Sequence, residues 1–189
     1  ILIRGGTRIL GQIQIAYALQ RWNEIIIFTI GKTIPNIHQE HFSKVENLIC
    51  DREDNLEVLI NRRWAVVIYN SGRKTKWTED TTQLLVNQVE YYMYTSSISV
   101  YYPFFGDDFS EKRPLVTEIP ADASEEEIPT YEYGVMKANS ELATLNTFGP
   151  ERSFVVRPTL IVGPGDQTDR FPYWLARLEK GGDIIIPGR

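Results

Sequence analysis

A doubly wound α/β fold, a parallel sheet with helices on both faces, is what the sequence predicts, and three observations predict it. Short apolar runs alternate with longer segments that have room for a helix. The runs are continuously apolar rather than alternating with polar residues, which marks strands covered on both faces. A glycine-rich stretch stands between the first run and the first helical segment, where a strand must turn sharply into the helix that follows it.

Taken in order, Ile1–Ile3, Ile25–Phe28, Leu48–Cys50, Ala65–Tyr69, Tyr91–Thr95 and Phe154–Val156 read as strands. Helices are expected over Ile9–Arg21, Asp54–Arg62, Glu79–Glu90 and Tyr131–Thr147. The last has the clearest period: Val135, Ala138, Leu142 and Leu145 form one apolar stripe, with Tyr133 and Lys137 on roughly the opposite side. Between Tyr102 and Pro129 four prolines and the run Glu125-Glu126-Glu127 occur without a strong period, so a loop is expected. Asp169 to Leu175 leads into a further helix ending near Lys180, and no internal repeat is visible.

Composition narrows the function classes. The 189 residues, 42% of them hydrophobic, suffice for one ordinary domain with a substantial core. Charged residues make up 24% and the net charge is -5, so no positive field exists to hold nucleic acid or an anionic membrane. No apolar run is long enough to span a bilayer, and no leader pattern opens the chain. With Cys50 as the only cysteine, neither a disulfide framework nor a structural zinc site is expected, and a reducing, cytoplasmic location fits. His38, Glu40 and His41 could be imagined as metal ligands, but they lie in a polar stretch and read as surface residues, so no metal is expected. The chain opens at Ile1 in an apolar run without a methionine and stops at Arg189 just past the run Ile184–Ile186, so further sequence is expected on the C-terminal side. No Gly-Lys-Ser/Thr follows a glycine-rich loop and no Gly-x-Ser-x-Gly occurs, which excludes a P-loop phosphohydrolase and a serine hydrolase.

Two segments carry candidate chemistry. In Gly5-Gly6-Thr7-Arg8-Ile9-Leu10-Gly11 the glycines let the backbone turn and approach a pyrophosphate, whose charge the N–H groups and dipole of the following helix can hold. A glycine turn without a ligand is the plain alternative. Tyr133 and Lys137 are four residues apart, which on a helix puts them on one face. An ammonium near a phenol favours the phenolate and makes the tyrosine a usable acid/base at neutral pH. Thr95-Ser96-Ser97-Ile98-Ser99-Val100-Tyr101 lies at the C-terminal end of the fifth strand, the side on which open α/β sheets bind ligands.

These segments, in this order, resemble the extended short-chain dehydrogenase/reductases, the NAD-dependent epimerase/dehydratase family. Gly5 and Gly11 match the ends of its Gly-x-x-Gly-x-x-Gly turn, with Arg8 where the middle glycine usually stands. Ser96-Ser97-Ile98-Ser99-Val100-Tyr101 matches Ser-Ser-x-x-Val-Tyr, and Tyr133-Gly134-Val135-Met136-Lys137 matches Tyr-x-x-x-Lys. Arg157-Pro158-Thr159-Leu160-Ile161-Val162-Gly163-Pro164-Gly165 resembles the sixth strand and following loop of the same group.

The resemblance implies a Rossmann-type domain over 1–168, with 169–189 beginning a small substrate lobe. It implies Ser97, Tyr133 and Lys137 as catalytic residues. NAD or NADP would lie against Gly5, Thr7, Arg8, Ile9, Leu10, Gly11, Thr29, Lys32, Asp51, Arg52, Asn70, Ser71, Gly72, Thr95, Ser96, Tyr133, Lys137, Pro158 and Leu160. The second strand lacks the acidic end that grips a ribose, and Arg8 and Lys32 can face a 2′-phosphate, which leans the expectation to NADP; solvated surface charges are the alternative. Asp51 contacts adenine or caps a helix. Substrate contacts are expected from Ser97, Ser99, Tyr133 and Arg170, the last equally able to form a surface ion pair. The implied reaction is an epimerase- or dehydratase-like oxidoreduction at a carbinol or carbonyl carbon of a small molecule such as a nucleotide sugar. An NADPH-dependent carbonyl reductase and a non-enzymatic NAD(P)-binding sensor or scaffold remain as alternatives. A homodimer through the helices after the fourth and fifth strands is the expected assembly. Arg4 departs from the pattern: an unpaired charge at a buried strand end is costly, so it is expected to bend out or find a carboxylate.

Overall fold

A computed structural model describes residues 1–21, 23–51, 56–70, 72–103 and 110–185. Six strands form one parallel sheet in the order β3-β2-β1-β4-β5-β6: β1 (Leu2–Arg4), β2 (Ile26–Thr29), β3 (Glu46–Ile49), β4 (Trp64–Tyr69), β5 (Val89–Thr95) and β6 (Ser153–Val156). The order reverses between β1 and β4, which opens a crevice at the strand carboxyl ends. The helices are α1 (Ile9–Leu19), α2 (Gln39–Phe42), α3 (Thr75–Leu85), α4 (Ile128–Phe148) and α5 (Pro172–Glu179). The expected doubly wound α/β architecture is the one observed.

Each face of the sheet has its own core. On one, Ile15 and Ala18 of α1 pack on Ile3, Ile25 and Ile27. On the other, Leu85 of α3 and Phe148 of α4 pack with Leu2, Phe28, Val67, Tyr69, Tyr92 and Tyr94. Registered neighbours in a parallel sheet share a face, and the row Phe28, Arg4, Tyr69, Tyr94 crosses the sheet on the α3/α4 side.

Several boundaries differ from those expected. The helix placed over Glu79–Glu90 is α3, Thr75–Leu85, and β5 begins at Val89. Its buried face is Thr78, Thr81, Thr82 and Leu85, so threonine carries burial that an apolar count misses. The Thr81 and Thr82 hydroxyls donate to the carbonyls of Trp77 (2.6 Å) and Glu79 (3.0 Å), which lets them be buried without loss. In place of a helix over 54–62 the described part shows a 3₁₀ turn, Glu57–Leu59, ended by Asn61 at φ 62°. Residues 54 and 55 lie outside the described residues. α4 begins at Ile128, with a proline in its first turn, where the missing N–H costs nothing. Of the stripe Val135, Ala138, Leu142 and Leu145 only Ala138 is buried and Leu142 is 37% exposed; the buried face also takes in Tyr131, Gly134, Lys137, Ser140, Glu141, Thr144 and Phe148. α5 has no buried residue. No strand forms at 184–185, and residue 186 lies outside the described residues. Among the described residues no helix is long and apolar enough to cross a membrane.

Arg4 neither bends out nor finds a carboxylate. It is fully buried, its Nη1 donates to the Thr81 hydroxyl, and its guanidinium lies 4.5 Å from the Tyr69 ring centre and 5.0 Å from that of Phe28. Aromatic faces take the place of a counter-charge.

Candidate active site

The glycine turn joins β1 to α1. Gly5 has φ 88°, a conformation that favours glycine. A Cβ on Gly11 would stand 2.4 Å from the Gly6 Cα and 2.5 Å from the Gly5 carbonyl oxygen, so only glycine lets α1 lie this close to the turn. Arg8, at the helix start, is extended and makes no side-chain capping bond, which leaves the first-turn N–H groups available to an anion. Thr7, Arg8, Ile9 and Gln12 form one wall of a cleft of about 200 Å³, and Ile161 and Arg170 are on its other side. Leu10 is half-buried on the same turn of α1.

Gln12, which the sequence reading passed over, is 2% exposed and organises this end. Its Nε2 donates to the Thr7 carbonyl (3.1 Å) and Asn36 Oδ1 (3.0 Å), and its Oε1 accepts the N–H groups of Asn36 and Ile37, both at 2.9 Å. At the end of β2, the Thr29 hydroxyl accepts the Gly31 N–H (3.2 Å) and donates to Asn47 Oδ1 (3.3 Å); Lys32 is exposed. Asp51 is exposed just past β3. Arg52 and Ser71 lie outside the described residues. Arg170 stands across the cleft from Arg8 with its Nε donating to the Thr168 hydroxyl (2.9 Å), so it faces the glycine turn.

Past β4, Asn70 ties three elements together. Its Nδ2 donates to Gln14 Oε1 of α1 (2.7 Å), its Oδ1 accepts the Thr95 hydroxyl of β5 (2.8 Å), and its N–H donates to the Arg4 carbonyl (2.9 Å). Gly72 is buried where a Cβ would meet the Tyr94 hydroxyl at 3.3 Å.

Past β5, Ser97 caps the 3₁₀ turn Ile98–Tyr101. Its hydroxyl accepts the Ser99 N–H (3.2 Å) and donates to the Ser99 hydroxyl (3.0 Å). Ser96 is buried, its N–H donating to the Val156 carbonyl (2.7 Å), while Ile98 donates to the Pro158 carbonyl (3.0 Å). Pro158 is half-buried beside this turn and Leu160 is exposed. The turn is pressed onto α4: a Cβ on Gly134 would stand 2.4 Å from the Ser99 carbonyl oxygen, which brings the residue beside Tyr133 against the segment that Ser97 caps.

Tyr133 is 46% exposed, whereas Lys137, one turn on, is 4% exposed. The Lys137 Nζ donates to the Thr95 carbonyl (2.9 Å) and lies 6.0 Å from the centre of the Tyr133 ring. Burial lowers the Lys137 pKa to about 8, with Glu141 pulling the other way. Glu141 was also missed by sequence reading. It is fully buried and receives Arg157 Nε at 3.0 and 3.1 Å and Nη2 at 2.7 Å, while Arg157 Nη1 donates to the Tyr101 hydroxyl. The signal was available as a Glu four residues after Lys137 on one helix, but a carboxylate in a helix is ordinarily a surface residue.

The site is therefore two clusters. One surrounds the glycine turn with Arg8, Gln12 and Arg170. The other joins Thr95, Ser97, Tyr133 and Lys137 past β5, and Asn70 stands between α1 and β5. The residues fit a dinucleotide: Gly11 leaves the room of a side chain empty where the backbone must pass, and the adjoining helix start is uncapped.

No family model and no curated protein matches the chain. Among solved structures it is similar to TunA, an NAD-dependent NDP-hexosamine 5,6-dehydratase involved in tunicamycin biosynthesis (TM-score 0.70, 18% identity, 94% of this chain and 60% of that one). It is also similar to the UDP-glucuronic acid 4-epimerase from Bacillus cereus in complex with NAD (TM-score 0.66, 18% identity, 95% of this chain and 62% of that one). A third is the dTDP-glucose 4,6-dehydratase from Bacillus anthracis in complex with NAD (TM-score 0.65, 19% identity, 95% of this chain and 61% of that one). The chain spans 60–62% of the length of these structures. What the chain shares with these NAD-dependent epimerase and dehydratase structures is the fold, a Rossmann-type parallel sheet with helices on both faces.

Proposed function

We propose that this chain is the dinucleotide-binding part of an epimerase- or dehydratase-type oxidoreductase acting at a carbinol or carbonyl carbon of a small molecule, a nucleotide sugar being the class that the named neighbours act on. The observation that carries this reading is the contrast within one helical turn: Lys137 is buried and anchored to the Thr95 carbonyl, while Tyr133 stays half-exposed beside it. A structural lysine would gain nothing from such burial, which works against its charge.

Bound there, the nicotinamide would supply the hydride acceptor or donor. The N–H groups at the start of α1 and the Arg8 and Arg170 guanidiniums would hold its phosphates. Tyr133 would move a proton between its hydroxyl and the substrate oxygen, with Lys137 one helical turn away on the same side. Ser97, fixed by the 3₁₀ turn, would orient the same oxygen with its hydroxyl. Residues from 169 onward would begin a substrate lobe, and α3 and α4 would form a homodimer contact. NAD is the cofactor of the named neighbours. The exposed Lys32 and the cleft-lining Arg8, without a carboxylate at the end of β2, keep a 2′-phosphate compatible.

Titration of the purified chain with NADH and with NADPH, followed by nicotinamide fluorescence, tests the reading beside Tyr133→Phe and Lys137→Ala. Saturable binding is expected, weakened by about tenfold in Lys137→Ala and by less than about twofold in Tyr133→Phe, since one charge-assisted bond is lost in the first only. Failure of both dinucleotides to bind the folded chain would remove the cofactor site and leave the fold alone.

A further inference from the structure

The stretch after β2 holds a second, separate cluster of ligating side chains. Gln12 pins it from below by accepting the Asn36 and Ile37 N–H groups, and Ile37 in turn abuts Gly165. The next residue, His38, has φ 51° and ψ 33°, a left-handed conformation that histidine adopts more readily than most side chains. This reverses the chain into α2, and His41 donates its N–H to the His38 carbonyl (3.0 Å). The two imidazoles are thereby stacked, with centres 5.6 Å apart and planes 19° from parallel. The His41 Nε2 lies 3.6 Å from Glu40 Oε1, and one ligand atom from each of His38, Glu40 and His41 lies within 4.8 Å of the others. His41 Nδ1 is shielded from solvent and has no hydrogen-bond partner among the described residues, an unsatisfied ring nitrogen that calls for an explanation.

We propose that His38, Glu40 and His41 form a binding site for a divalent transition metal of the Zn²⁺ or Ni²⁺ class. Two imidazole nitrogens and one carboxylate oxygen suit these ions and not Mg²⁺ or Ca²⁺, which take oxygen ligands. A tetrahedral ion with bonds of about 2.0–2.1 Å places its donors roughly 3.4 Å apart. The observed spread of up to 4.8 Å therefore closes by rotation of side chains, and His38 and Glu40 are exposed enough to rotate. Three protein donors leave the remaining positions to water. An ion held there fastens the left-handed turn to α2, in the segment that Gln12 grips beside the glycine turn. The proposal does not depend on the dinucleotide reading.

The test is isothermal titration of the metal-stripped chain, free of any affinity tag, with ZnCl₂ and separately with NiCl₂. His38→Asn, which keeps a residue tolerant of the left-handed backbone, His41→Ala and Glu40→Gln are titrated beside it, each checked for unchanged circular dichroism. One ion per chain is expected with a micromolar dissociation constant, weakened about tenfold or more by either histidine change and by about threefold in Glu40→Gln. An affinity equal in the wild type and both histidine variants, or no binding at millimolar metal, overturns the site.

Discussion

On one face of the sheet, α1 sets Ile15 and Ala18 against Ile3, Ile25 and Ile27; on the other, α3 and α4 bury Thr78, Thr81, Thr82, Ser140, Glu141 and Thr144 on the side that carries Arg4, Tyr69, Tyr92 and Tyr94. Both faces bury their helices, but the first does so with groups indifferent to their orientation and the second with groups that each need a partner. The aliphatic face supports the glycine turn, where backbone N–H groups and an empty space make the site. The polar face supports Tyr133 and Lys137, where the placement of individual side chains makes it. A helix that must hold a buried ammonium is seated on hydroxyls and a carboxylate rather than on hydrocarbon alone.

The sharpest way to break this contrast is Glu141→Ala. It leaves the Arg157 guanidinium without its carboxylate, with only the Tyr101 hydroxyl still accepting from Nη1, and removing one partner of a buried pair costs about 3–5 kcal/mol. Urea unfolding of the variant measures the loss. Replacing both members, as Glu141→Leu with Arg157→Met, should recover most of it. If Glu141→Ala costs less than about 1 kcal/mol, the pair behaves as a surface ion pair and the polar face is not held by it. On the aliphatic face Ile15→Ala should cost about 3 kcal/mol, the loss of a fully buried side chain plus the cavity it leaves, with no dependence on salt or pH. Equal salt sensitivity in the two variants would erase the distinction between the faces.

The same contrast explains what could be read from the sequence. Ile3, Ile15, Ile25 and Ile27 are an apolar pattern, and with the glycines they are enough for β1, α1 and β2. Gly5, Gly11, Ser97, Tyr133 and Lys137 were legible because each motif is local: a turn, a cap, one helical spacing. The buried faces of α3 and α4 were not, since threonine, serine and glutamate count as polar until their partners are known. Those partners are distant: Glu141 meets Arg157, and the Thr78 hydroxyl donates to that of Ser140 on another helix. Gln12 was invisible for the same reason, its contacts with Asn36 and Ile37 depending on how the segment after β2 folds back. An apolar stripe does not set the buried face of α4, where Leu142 is exposed, and α3 offers no such stripe to place its start, its buried face being three threonines and Leu85.

Lys137 gives the next smaller effect and a signature in pH. Its pKa falls from the ordinary 10.5 to about 8, and Glu141 opposes that fall. The unfolded chain then holds more protons than the folded one between those values, so stability rises as pH climbs from about 8 toward 10.5. Below that window the folded state carries the full cost of the buried charge. Lys137→Met should therefore stabilise the chain at pH 7 by about 2 kcal/mol, less than the shift alone implies because the Thr95 carbonyl loses its donor. The gain should shrink through the same window and vanish above it. Thermal melts of both proteins from pH 7 to 10.5 follow the difference. A gain independent of pH would mean that packing, not charge, sets the burial of Lys137.

Arg4 offers the smallest effect and the finest discrimination. It is a fully buried cation held by one hydroxyl and two aromatic faces, in a row otherwise made of aromatic and aliphatic residues. Desolvating a guanidinium costs several kcal/mol, while cation–π contact in a desolvated site returns about 2 kcal/mol for a well-placed ring. Arg4→Met keeps the length and the packing, discards the charge, and leaves Thr81 still donating to the Trp77 carbonyl. A net gain of about 1 kcal/mol in urea unfolding is expected, from the balance of these opposing terms. A loss of similar size would show instead that the Tyr69 and Phe28 faces outweigh the desolvation, making Arg4 a fastener of β1 to α3 and the polar face a source of stability rather than a burden the fold carries for its site.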